Sequence, residues 1–573
     1  MKRKFFLGAF LSILVSTLSF AQSNFGVEYF FVKDYDEAKK IFENQLQNNE
    51  SVAEAYYYLG EIAFAKGDLS TAKANFEKGL AADPNNALNS VGLGKLILKS
   101  DKKTADDMFS AAIKKNKKDP AVAVAAAYAY FDNGMFDDAR KKAGDARKAK
   151  KDYPYSYVCE GDVYFVEKDV NKAISQYAQA MHFAKGNPVG YIKSAMLYES
   201  SGTGRPTAID DLNRAIEASP NFLTTYKILG NLYYLSGNYP KTIETYSAFL
   251  QQGGVLDAKE RADLSGAYYF TKQYDGAEDV LKVGLATNPN DFFMNRVLMY
   301  TYADTQDYEK AVEVGDKFFS LELPKNAKYL FNDYMKYGTS LGKLKKGKEA
   351  VALFNKALEL ESANPDWDNH ALYKELARAS SDAGEPGEGA LFLKKYIDAA
   401  GDKVETKDYF DMGVYYYVAG QPKVAQLVKA QRDSTFQVDK ASYDEGVVEL
   451  GLAQDAFSKV IELDPVNVVG YVFRARTASA LDPSSEKGLA QPYYIALEEA
   501  ILKSNSEDPD PSGEMKNKAE LIEAYNYLCY FSYLQYEKNK TNENKALIKQ
   551  YSEKLIVIDP NNTTASQLLE YIK

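Results

Sequence analysis

Histidine and tryptophan are nearly absent from this chain of 573 residues, which holds two of the former and one of the latter, Trp367. Histidine is the usual proton-transfer group near neutral pH and the commonest metal ligand, so its scarcity removes most catalytic constellations. His182 and His370 lie in separate helical stretches and read as packing or surface residues. No enzymatic activity, metal or cofactor is expected. Cysteine is as scarce: Cys159 and Cys529 each sit in an apolar helical stretch, where two buried thiols are expected rather than a bridge. A cationic excess is also missing, since 80 Asp and Glu outnumber 70 Lys and Arg. Phosphate binding needs a basic face, so nucleic acid is not an expected partner. Beyond residue 21 no apolar run is long enough to cross a bilayer, and no segment keeps the period-two alternation of a sheet protein.

What the chain does hold begins with Met1-Lys2-Arg3-Lys4, followed by an apolar run from Phe5 to Phe20 and small residues at Ser19 and Ala21. This is the three-part layout of a secretory signal peptide. Residues 1–21 are expected to be a leader cleaved after Ala21, because the run falls short of the roughly 20 residues of a spanning helix. A periplasmic or secreted product without an integral membrane span follows. The leader carries Lys2, Arg3 and Lys4 and no acid, so the mature chain is more acidic than the net −10 of the full sequence.

Self-similarity dominates the rest. In the segment 53–86, Leu59-Gly60 is followed by Ala72, Phe76, Gly79 and Asp83-Pro84. The pattern returns as Leu93-Gly94 with Ala105, Phe109 and Ala112, and as Gly161 and Tyr164 with Ala173, Tyr177 and Ala180. It returns again as Leu229-Gly230 with Tyr233 and Tyr246, as Tyr268 with Ala277 and Leu281, as Tyr302 with Ala311 and Phe318, and as Gly338 with Ala350, Phe354 and Ala357. Tyr29, Ala38 and Phe42 begin the series. Small residues at these places let neighbouring helices approach, and the aromatics fill the space between them. Asp-Pro at 83, 464 and 559 stops one helix before the next. Lys66-Gly67-Asp68, Asn133-Gly134, Ser236-Gly237-Asn238 and Asp382-Ala383-Gly384 read as turns between paired helices.

This spacing resembles the tetratricopeptide repeat, a helix-turn-helix unit of 34 residues. The resemblance implies an all-α fold, an α-solenoid of about thirteen units wound as a right-handed superhelix with a concave inner face. Residues 22–425 read as the main array. Gly413, Tyr416 and Ala425 open a unit whose closing residues Phe457 and Asp464-Pro465 arrive late, so 426–454 reads as an insertion or an extended helix pair. Residues 455–573 read as degenerate repeats, with an exposed loop at 504–516.

Residues of the first helices that face inward in the family are the expected partner contacts. They are Tyr57, Glu61 and Phe64; Tyr155, Asp162 and Phe165; Lys227, Asn231 and Tyr234; and Lys407, Phe410 and Tyr417. Adjacent helical residues point about 100° apart, so doublets such as Tyr57-Tyr58 do not fill one packing slot with both rings. Lys227 and Asn231 stand one turn apart, as in units that hold a peptide carboxylate, but the following units do not complete such a clamp. Gly342 to Lys348 superficially matches a phosphate-binding loop, yet it falls in a turn between two helices, with Glu349 where a hydroxyl is needed. Asp106-Asp107 and Asp137-Asp138 are expected at the starts of second helices, where the helix dipole favours acids. The expected function is an exported scaffold that binds a protein or peptide on its concave face, in assembly or maintenance of an envelope complex. The alternative is a glycan-binding component of an uptake system.

Overall fold

The computed structural model describes residues 25–200, 202, 204–361, 370–508, 510 and 514–573. The expected leader and Trp367 lie outside these residues. The described residues form helices and turns and no strand, in antiparallel pairs that stack on neighbouring pairs within each of two units. The chain divides into two compact units, residues 1–297 and 298–573.

The segment 52–82 shows how the sequence makes each pair. The first helix, Val52–Ala65, ends when Gly67 takes the left-handed conformation, φ 82°. The amides of Gly67 and Asp68 then donate to the carbonyls of Phe64 and Ala63, at 2.9 and 3.0 Å. This is the doubled bond of a glycine-terminated helix. Asp68 next caps the second helix, Leu69–Ala82, by accepting from the Thr71 amide at 3.0 Å. The same device recurs along the chain, with Asp34, Asp169 and Asp307 as caps behind left-handed Lys33, Lys168 and Gln306.

Packing between pairs follows the expected division of labour. The Phe76 ring is fully buried between two glycines. A methyl added at Gly60 would meet it at 2.4 Å, and one at Gly92 of the next pair at 2.5 Å. Tyr177 lies in the same way against Gly161, Tyr246 against Gly230 and Phe354 against Gly338. Glycine at these places is a matter of volume, because any side chain would occupy the ring's space.

Unit 2 contains the break in rhythm. The first helix Thr406–Val424 runs on through Pro422 and pairs with a long helix, Lys440–Leu463, while the short helix Gln426–Arg432 lies between them in sequence. The small residue of this second helix is therefore Ala453, four places before Phe457, and not Ala425. The Phe457 ring lies 2.7 Å from a methyl built at Gly413, the relation seen in regular units. The insertion is thus the short helix, its loop and the start of one long helix. Asp137 and Asp138 occupy the first turn of Phe136–Ala149, as expected, but Asp106 lies a turn into Lys102–Lys115, whose cap is Asp101. Asp106 instead pairs with Lys102 and accepts from the Tyr130 hydroxyl. Lys345 forms the left-handed turn between Phe331–Lys343 and Gly347–Glu361, so the glycine-rich stretch is a helix-to-helix turn.

Candidate partner-binding surfaces

In unit 1 the polar residues of the first helices are tied to one another at a spacing of about one repeat. Lys95 is 2% exposed and bridges Glu61 at 2.5 Å and Asp132 at 2.6 Å, with its ammonium 4.2 Å from the Phe64 ring centre. Burial alone would lower the Lys95 pKa, but the two carboxylates outweigh it and hold the ammonium above its ordinary value. Asp162 accepts from Lys193 at 3.0 Å, from the Tyr128 hydroxyl at 2.9 Å and from Tyr177 at 2.7 Å. Lys227 pairs with Glu260 at 3.0 Å, and Asn231 donates to Asp263 at 2.9 Å. Lys227 and Asn231 therefore bind the next helix pair rather than forming half of a clamp.

The expected contacts of unit 1 thus divide. Glu61 and Asp162 are buried in these polar clusters. Tyr57 and Tyr58 are both buried: Tyr58 stacks on Phe42 at 4.7 Å, and Tyr57 leans on Phe76 at 6.0 Å. The doublet does fill two packing slots, on two sides of one helix. Tyr234 is half-buried, its hydroxyl 2.7 Å from a methyl built at Gly266. Phe165 is exposed.

Tyr155 is buried by a segment far from it in sequence. The short helix Gly26–Phe31 and the turn after it lie against first helices well separated from them in sequence. Phe31 stacks on Tyr155, ring centres 4.2 Å apart, and meets Tyr128 at 5.3 Å. Glu28 accepts from the Tyr155 hydroxyl at 2.9 Å and from Asn187 at 3.1 Å. Tyr29 stacks on Phe222 at 4.4 Å, and Asp34 accepts from the Thr224 hydroxyl at 2.5 Å. Phe30 touches Tyr58 at 5.3 Å. Burial raises the Glu28 carboxyl above its ordinary value, against the opposing hydrogen bonds from Tyr155, its own backbone and Asn187. Beside the segment remains a cavity of about 290 Å³, whose walls include Lys33, Phe64, Phe131 and Asp132.

Unit 2 repeats the polar spacing, with Tyr300 donating to Asp333 at 2.7 Å and Lys374 pairing with Asp408 at 2.7 Å. Lys407 is exposed and pairs with Asp411, within its own helix. Phe410 packs against Phe457 at 5.8 Å and Phe473 at 5.3 Å, so it serves the core. Tyr417 lines a cavity of about 580 Å³ between the inserted helix Gln426–Arg432 and helix Val468–Leu481. Lys429, Arg432, Arg476, Tyr494 and Glu523 line it. Arg476 grips Glu523 in a fork, at 3.0 and 2.6 Å, and Tyr494 donates to the same carboxylate at 3.1 Å. Three cations against one carboxylate give this wall a positive excess in an acidic chain.

A family model described as the tetratricopeptide repeat matches residues 53–86. A BBSome complex member of Bos taurus is 22% identical over 343 residues, covering 59% of this chain and 64% of that protein. The Hsp70-Hsp90 organizing protein 3 of Arabidopsis thaliana is 27% identical over 150 residues, covering 24% of this chain and 26% of that protein. The chain thus spans less than two thirds of the length of either curated relative. Among solved structures, the C-terminal part of a TPR repeat-containing protein of Cytophaga hutchinsonii is 22% identical, with TM-score 0.34, covering 54% of this chain and 99% of that one.

Proposed function

We propose that this chain, a tetratricopeptide-repeat protein, works as an exported scaffold that holds a protein or peptide partner against its first helices and so helps assemble or maintain a complex of the cell envelope. The observation that carries this reading is the cavity at Tyr417. It is open, it combines aromatic rings with a positive excess, and its volume suits a few side chains of an acidic peptide segment. The two relatives named above support the same reading, since one is a member of a complex and the other organises two proteins. The leader-like residues 1–21 support export.

A photo-crosslinking residue placed at Tyr417 of the full chain in its native host tests the reading. It should give a discrete protein adduct, while the same residue at Val557, which is 80% exposed, gives none. Equal adducts at both places, or none at Tyr417, would overturn it. Mass measurement of the purified product checks export separately, with Gln22 as the expected first residue.

A further inference from the structure

We propose that the inner face of unit 1 is a second partner site, for a helical segment bearing a carboxylate three residues before an aromatic, and that residues 25–35 of the chain itself occupy it until such a partner displaces them. This rests on the scaffold reading above and adds to it the chemistry and the regulation of one surface.

The contacts of the segment are those of a bound peptide. Glu28 and Phe31 stand three places apart, on one face of a single helical turn. That face meets Tyr155 with both its carboxylate and its ring, while Tyr128 and Asn187 complete the cradle. The cradle residues come from two first helices and the turn before a third, and are more than 90 positions away in the chain, whereas a stacked repeat needs only its neighbours. The segment packs on its own second helix, where Gly26 approaches Phe42 and Ile41, but over a short length. Its described helix has 6 residues, against 14 in Val52–Ala65. The buried Oε2 atom of half-buried Glu28 has no hydrogen-bond partner among the described residues. An unmet acceptor of this kind weakens the seat, and a competing helix could improve on it. The cavity of about 290 Å³ beside Phe30 and Phe31 gives an incoming helix a first foothold before the segment leaves.

The test uses a labelled peptide of the chain's own residues 25–35 and full-length protein. A double variant, Glu28→Ala with Phe31→Ala, loosens the segment through the two residues that reach across the inner face. The peptide should bind this variant at least tenfold more tightly than the unsubstituted chain. Adding Tyr155→Ala, or using a peptide in which the residues matching Glu28 and Phe31 are both alanine, should remove the binding. Equal binding to both proteins, no binding to the folded double variant, or a dimer formed by exchange of the segment would overturn the proposal. Hydrogen exchange on the unsubstituted chain covers the case in which the variant does not fold. Amides 27–34 should then exchange well before amides 155–166, and exchange of both stretches together only on global unfolding of the unit would overturn the proposal. A Tyr417 adduct together with no peptide binding refutes this inference alone; loss of both refutes the scaffold reading as well.

Discussion

At the scale of single residues, the inner face is set by charges that satisfy one another. Lys95 is the sharpest case, since it is buried between Glu61 and Asp132. Lys95→Met strands two carboxylates, one of them 4% exposed, and should cost about 3–5 kcal/mol. Denaturant unfolding of unit 1 reads this loss. Adding Glu61→Leu and Asp132→Leu should recover much of it, because an apolar replacement of a whole buried cluster is close to neutral. Glu28 gives a prediction in pH. Its carboxyl titrates above the ordinary 4.5 in the folded chain, so the folded state holds this proton more firmly than the unfolded state does. The stability it confers is full below 4.5 and falls as pH rises through the raised value. Glu28→Gln keeps an acceptor for Tyr155 and Asn187 and removes the charge. Its advantage over the unsubstituted chain in thermal midpoint should therefore grow from about pH 4 to about pH 7. An advantage that stays constant over that range would contradict the assignment. Sequence alone exposed the twelve inner-face candidates but not their pairing. That signal was present as opposite charges about one repeat apart, Glu61 with Lys95 and Lys227 with Glu260. It passes unnoticed when each unit is compared with the motif rather than with the next unit.

At the scale of the helix pair, two glycines seven positions apart are needed for different reasons. Gly60→Ala drives a methyl into the Phe76 ring, 2.4 Å away, and overpacking of this kind should cost about 1–3 kcal/mol. Gly67→Ala meets nothing within 4 Å and suffers only from its left-handed backbone, at about 1 kcal/mol. Thermal unfolding of the two variants should rank Gly60→Ala as the more damaging, and the reverse order would mean that Phe76 has room to move. Most of this level was legible in the sequence, because small residue, aromatic and turn recur at fixed offsets and packing allows little substitution among them. The illegible part was the left-handed turn wherever no glycine marks it, as at Lys33, Lys168, Lys272 and Lys345. There the stacked helices, with a following aspartate cap after Lys33 and Lys168, hold a lysine in a conformation its own propensity disfavours. The assignment of Ala425 failed for a related reason. A motif read by spacing accepts the nearest alanine, whereas the real second helix starts after an inserted helix and carries Ala453.

At the scale of the whole molecule, a stack of helix pairs frays from its ends, since each pair is held only by its neighbours. Within unit 1 the segment 25–35 departs from that rule. It ties Asp34 to Thr224 and Tyr29 to Phe222, across about 190 positions of sequence. No periodic reading could find this tie, because it depends on how far successive pairs turn relative to one another, and the repeat motif does not encode that angle. The tie makes a definite claim about cooperativity. If it couples the start of unit 1 to the helix that follows Phe222, Phe31→Ala with Tyr29→Ala should raise hydrogen exchange in Leu223–Leu235 as well as in Gly26–Phe31. The intervening helix Ala87–Ile97 should be far less affected, because its own neighbours remain in place. A linear array predicts the opposite gradient, with protection lost next to the substitution and restored progressively along the chain. Peptide-level exchange measured on both proteins under native conditions separates the two patterns, and a loss confined to residues 25–47 would mean that unit 1 behaves as an ordinary open stack.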